Sequence, residues 1–140
     1  MKLLIMGLFD AIEYVPTNPT YAIRINAKSY GGPEVELKKS GLYTIVNYSF
    51  DDIEPFFARE GQELFDEDIA RRMLAEFREK GEDKETLMVH CSRGKNRSPA
   101  VGIALNEIFN LGYNTKELKD KYPESNWYIY RTLIKAAKKQ

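Results

Sequence analysis

A chain of 140 residues has room for one domain with an adequate core, and 43% hydrophobic with 12% aromatic side chains excludes a disordered polymer. Its 21 basic residues balance 21 acidic ones, so bulk charge offers no attraction for nucleic acid or an anionic membrane, and any attraction is local. The single cysteine excludes an internal disulfide framework, and one cysteine with one histidine leaves too few soft ligands for a protein-built zinc site. The expectation is a cytoplasmic protein with no metal, no membrane partner and no obligate nucleic acid.

The N-terminal run Leu3-Leu4-Ile5-Met6-Gly7-Leu8-Phe9 follows one lysine and stops at Asp10. It is too short for a spanning helix and lacks the small-residue cleavage site of a signal peptide. A strand is expected over 2–6, then a short helical or irregular piece through Val15, with Pro16-Thr17-Asn18-Pro19 as a turn. Tyr21-Ala22-Ile23-Arg24-Ile25 is apolar enough for a second strand, ended by Ser29-Tyr30-Gly31-Gly32-Pro33. Residues 42–50, rich in β-branched and aromatic side chains, form the strongest strand signal. Asp51 and Asp52 stand just past its end.

Pro55-Phe56-Phe57 has two readings: a mobile flap over a pocket within residues 54–64, or, as burial statistics favour, two core phenylalanines. Residues 66–80 predict a helix with Ile69, Met73 and Phe77 on one face, Asp66 and Asp68 in the first turn, and Gly81 as its stop. After the polar cluster 81–85, Thr86-Leu87-Met88-Val89 reads as a buried strand.

The next stretch carries chemistry. In His90-Cys91-Ser92-Arg93-Gly94-Lys95-Asn96-Arg97-Ser98-Pro99 the only cysteine follows a strand and Pro99 opens a helix, with Val101, Ala104, Leu105 and Ile108 at helical spacing. A loop from strand end to helix start points the unpaired amides of Ser92, Arg93, Gly94, Lys95, Asn96 and Arg97 inward, and the helix dipole adds partial positive charge. An anion is expected there. A thiolate facing such a helix end and an arginine is stabilised, which suits Cys91 to nucleophilic attack. Arg97 carries a planar fork able to grip two phosphoryl oxygens. Gly94 relieves the backbone at a positive φ or a close approach, Ser98 can donate to the sulfur, and His90 suits fixing the loop better than acting as a base. Arg93 and Lys95, if they face the rim, favour multiply charged substrates.

Beyond this loop, 111–114 is a turn, and a helix over 115–121 is capped by Thr115 and interrupted at Tyr122-Pro123. A terminal helix over 125–138 has Trp127, Tyr130, Leu133, Ile134 and Ala137 as its packing stripe. Strands alternating with helices give one α/β domain spanning 1–140, a central, mostly parallel sheet of about four strands flanked by helices. In such a sheet Asp51 and Asp52 share a rim with the loop at Cys91.

The HCSRGKNRS segment resembles the H-C-x5-R-[S/T] motif of the cysteine-dependent protein tyrosine phosphatase superfamily, and the compact layout is similar to its dual-specificity branch. The resemblance implies that fold, a phosphocysteine intermediate at Cys91, transition-state binding by Arg97, and no cofactor. It also implies an aspartic acid, on a loop after a preceding strand, that protonates the leaving group. Phe50-Asp51-Asp52-Ile53 is the matching place. Asp52 is preferred because small relatives keep an aspartate before an aliphatic residue; Asp51, Asp66 and Asp68 are the competitors. The implied substrate is a phosphorylated protein or another phosphate monoester. Arg93 departs from the alanine of many dual-specificity members, and Lys95-Asn96 resembles loops of RNA 5′-triphosphatases and phosphoinositide phosphatases. A silent phosphate-binding pseudophosphatase is the reading outside enzymes.

Overall fold

The computed structural model describes residues 1–27 and 35–139, so the expected strand end at Ser29-Tyr30-Gly31-Gly32-Pro33 lies outside the described residues. Four strands, β1 (Lys2–Met6), β2 (Thr20–Asn26), β3 (Tyr43–Ser49) and β4 (Thr86–His90), form one sheet in the order β1-β4-β2-β3, every neighbouring pair parallel. The inner strands explain the apolar runs: β4 is buried at every position and β2 at all but its last. Parallel strands covered on both faces have no solvent side to mark with polar residues. Edge strand β3 alternates instead, with Val46 and Tyr48 buried between exposed Ile45 and Asn47.

Helices cover both faces, giving the expected α/β class. On one face α1 (Leu8–Glu13) buries Ala11 against Ala22, Met88 and Leu37. On the other, Tyr21, Ile23, Leu87 and Val89 pack with Met73, Phe77, Ala100, Ala104, Ile129 and Leu133 from α2 (Glu67–Glu76) and its continuation, α3 (Arg97–Phe109) and α5 (Trp127–Lys138). α3 is buried from Arg97 through Asn106, so its apolar residues extend around the helix. α4 (Thr115–Lys121) lies against α3 with no buried residue.

Several element ends differ from expectation for identifiable reasons. The 66–80 helix changes pitch at Phe77: Phe77–Gly81 is a π-helical turn, with Glu82 N–H donating to Phe77 O at 2.9 Å. A Cβ on Gly81 would sit 2.8 Å from Phe77 Cδ1 and Tyr21 Cγ, so glycine lets this turn press onto β2. The α4 cap is Asn114, whose carboxamide oxygen accepts from Glu117 N at 2.9 Å, one residue before Thr115. The centre of the α5 stripe is Ile129, Leu133 and Ala136; of the expected set Leu133 lies in that centre, and Tyr130, Ile134 and Ala137 pack beside it, partly buried.

Phe56 and Phe57 overturn the core reading. They are 89% and 65% exposed in a 3-10 turn at Pro55–Phe57, ring against ring at 5.2 Å. The aromatics that enter the core are Phe50 and Phe65, packed at 4.7 Å on either side of this segment. Between them Asp51 N–H donates to Glu63 O at 2.8 Å, and Glu63 N–H donates to Asp51 Oδ2 at 2.6 Å. Residues 52–62 are therefore looped out of the core from a closed neck.

Because all strands run one way, Gly7, Phe50 to Asp52, and Cys91 emerge on the same rim of the sheet. Among the described residues, no helix is long and apolar enough to cross a membrane, and no group of three or more His, Cys, Asp and Glu side chains is placed to hold a metal ion.

Candidate active site

The strand-loop-helix expected around Cys91 is present: β4 ends at His90, and α3 begins at Arg97, with Ser98 and Pro99 in its first turn. Cys91 is 2% exposed. Two backbone N–H groups point at its sulfur, from Gly94 at 3.2 Å and from Ser98, in the first turn of α3, at 3.4 Å. The Ser98 amide is one of the donors that a helix start leaves without an intrahelical partner, so the positive end of the helix is turned onto Sγ. The Ser98 hydroxyl lies 3.2 Å from Sγ and also 3.2 Å from the carbonyl oxygen of Met6. With a thiol it can accept from S–H while donating to Met6 O; with a thiolate its proton can turn to the sulfur.

The loop is held in shape from β1, a contact that motif reading misses. Leu8 N–H donates to Ser92 O at 3.0 Å, and Cys91 N–H to Met6 O at 3.4 Å. Gly94 has φ +75°, and a Cβ there would lie 2.5 Å from Gly7 N and 2.7 Å from Met6 C. A Cβ on Gly7 would in turn meet the Arg93 backbone at 3.0 Å. Two glycines let two backbones touch, so the close approach at Gly94 is to β1.

Arg97 is 7% exposed and aimed by two acceptors: Nη1–H donates to Phe50 O at 3.1 Å, and Nη2–H to Ser92 Oγ at 3.0 Å. The first contact ties the guanidinium to the end of β3, directly before the two aspartates. Arg93 and Lys95 are exposed and form no ion pair among the described residues. Asn96 turns its carboxamide away, donating to Glu124 O at 2.6 Å, so only its backbone N–H remains for an anion in the loop.

His90 binds outward from the loop, to β2. Arg24 Nε–H donates to His90 Nε2 at 2.9 Å, both side chains being buried. The accepting nitrogen must be unprotonated, and burial first, then the Arg24 charge, lowers the His90 pKa from 6.5 to about 4, partly opposed by the Cys91 backbone. The neutral ring thus ties the end of β4 to β2, not to the loop. Arg24, itself tied to Val35 O, is a participant that only the strand register, Arg24 opposite His90, brings to the site.

The candidate acids separate by what they hold. Asp66 caps α2, its Oδ1 accepting from Ile69 N at 2.9 Å, and Asp68 pairs with Arg71 on the same helix. Asp51 is buried and holds the loop neck through Glu63 N. Asp52 is exposed on the rim, beside Ile53, Glu54, Phe57 and Asn126 around a shallow depression, and its Oδ1 accepts from Asn126 Nδ2 at 2.9 Å. The fold thus joins Cys91 to Ser98, places Arg97 next to Ser98 in the first turn of α3, attaches the segment before Asp52 to Arg97 through Phe50, and sets Asp66 and Asp68 to helix duties.

No protein-family model, curated protein or solved structure matches this chain.

Proposed function

We propose that this protein is a cysteine-dependent phosphatase that hydrolyses phosphate monoesters, phosphotyrosine or phosphoserine/threonine, through a phosphocysteine intermediate. One observation carries the reading: a sulfur that receives two backbone N–H groups, one from the loop and one from the first turn of α3, and faces a hydroxyl, with a buried arginine in that same turn fixed by two acceptors. The Cys91 thiolate attacks phosphorus in line. The S–P bond forms as the P–O bond to the leaving group breaks, and Asp52 gives that oxygen its proton. Loop amides and the Arg97 fork hold the equatorial oxygens, where charge shifts during transfer. Asp52, now a carboxylate, takes a proton from water as the water attacks phosphorus; the S–P bond breaks and inorganic phosphate leaves with the thiolate regenerated. The Ser98 hydroxyl stabilises that departing thiolate.

The exposed Arg93 and Lys95 favour a second reading within the same chemistry, a substrate with several phosphates such as an RNA 5′-triphosphate or a phosphoinositide headgroup. Hydrolysis of an aryl phosphate by the unaltered chain, lost in Cys91→Ser, is the expected result. Activity surviving Cys91→Ser overturns covalent catalysis, and phosphate binding without turnover in the unaltered chain points to a pseudophosphatase. A panel of phosphopeptides, triphosphate-ended RNA and inositol phospholipids separates the substrate classes.

A further inference from the structure

Asn126 is buried at the start of α5 and bonds to three segments: α5 itself, the segment at Asp52 and Ile53, and the loop after Cys91. Its Oδ1 accepts from Ile129 N at 3.2 Å, capping the helix. Its Nδ2 donates to Asp52 Oδ1 at 2.9 Å and to Ile53 O at 3.3 Å. Its backbone N–H donates to Asn96 O at 3.0 Å, in the loop that carries Cys91 and Arg97. Asn96 returns the tie through Glu124 O, two residues before Asn126. Asn126 is thus hydrogen-bonded both to Asp52 and to the 91–97 loop.

From this junction we infer that Asn126 is a positioning residue for catalysis, setting Asp52 in register with the phosphate loop and leaving Oδ2 as the carboxyl oxygen that gives and takes the proton. The inference rests on the phosphatase reading and on Asp52 as the acid. Its physical basis is orientation. An exposed aspartate on a looped-out segment samples several rotamers, and one donor fixed to the phosphate loop selects among them. Because the amide occupies Oδ1, the transferable proton belongs on the opposite oxygen. The separation of 74 residues between donor and acceptor hides the contact from any local motif, where Asn126 reads only as a helix cap.

The test is built on variants that keep the cap. Asn126→Ser retains an oxygen for Ile129 N but has no amide to reach Asp52; Asn126→Asp also caps, and replaces the donor with a second carboxylate. Turnover is measured on an activated nitrophenyl phosphate, whose leaving group departs without a proton, and on phenyl phosphate or a phosphoserine peptide, whose leaving group needs one. Both variants are expected to lower kcat roughly tenfold on the second kind of substrate and less than about threefold on the first. Helix content and melting temperature should stay close to those of the unaltered chain. Equal loss on both substrates, or none on either, overturns the inference, and Asn126→Asp decides it should Asn126→Ser fail to fold. Cys91→Ser and Asp52→Asn run in parallel separate the layers. Activity in Cys91→Ser defeats the phosphatase reading itself, and an Asp52→Asn loss that ignores the leaving group defeats the acid assignment and the inference with it. A leaving-group-dependent loss in Asp52→Asn without one in the Asn126 variants defeats only the role of Asn126.

Discussion

At the scale of single residues, His90 ties the site to the stability of the fold. Its Nε2 can accept from Arg24 only while the ring is neutral, and its folded pKa of about 4 lies below the ordinary 6.5. Between those values the unfolded chain binds a proton that the folded chain refuses, so unfolding is favoured as pH falls. This contribution is fully present above pH 6.5 and declines until pH 4, by about 3 kcal/mol at most. Chemical denaturation across that range should show the decline, and His90→Gln, which keeps an acceptor and cannot titrate, should flatten it. An unchanged slope in the variant would place the acid sensitivity elsewhere. Cys91, Arg97 and Ser98 stood out from the motif because their spacing is local to one loop and the helix start that follows it. Arg24 and Asn126 were not legible, since a strand arginine and a helix cap reach His90 and Asp52 only when sheet register and loop packing bring them there.

At the scale of elements, the segment between Phe50 and Phe65 separates burial from apolar character. Phe65 is fully buried against Phe50, whereas Phe56 and Phe57 meet each other edge to face in solvent. Phe65→Ala should cost about 3–5 kcal/mol in a denaturant titration, and Phe56→Ser or Phe57→Ser less than about 0.5 kcal/mol. A large cost for the latter pair would mean that their rings pack on the body of the protein in solution. Composition alone favours burial for all four aromatics; the decisive fact is the Asp51–Glu63 neck, a pairing 12 residues apart with no hydrophobic signature. Strand positions were readable because inner parallel strands, buried on both faces, are mostly apolar, with Arg24 and His90 as paired exceptions. Helix starts were readable to within a residue or two, the error at Thr115 arising because adjacent asparagine and threonine are both competent caps and only backbone geometry chooses Asn114.

At the scale of the whole molecule, the strand order assigns unequal protection. β4 and β2 sit inside the sheet and are buried, while among the described residues β1 and β3 each have a neighbour on one side only. Native-state amide exchange should be slowest in β4, β2 and the buried part of α3, and faster in β3 and α4. Equal or slower exchange in β3 than in β4 would contradict the observed order. The α/β class and parallel sheet were legible from alternating strand and helix patterns, but the order β1-β4-β2-β3 was not, because nothing local distinguishes a strand that inserts between two earlier ones from one that adds at an edge.

That insertion bears on how the protein comes into being. As the chain leaves the ribosome, β1 has no partner in the sheet until β4, which begins 80 residues after β1 ends, is wedged in beside it. Such distant pairing is slow to find, because loop closure precedes any gain from contact. The glycine-to-glycine seam and the amide cradle around the sulfur depend on the same event. A nascent chain therefore carries its thiol unshielded and the loop around it unbraced until the last strand is seated, and the loop takes its shape together with the completed sheet.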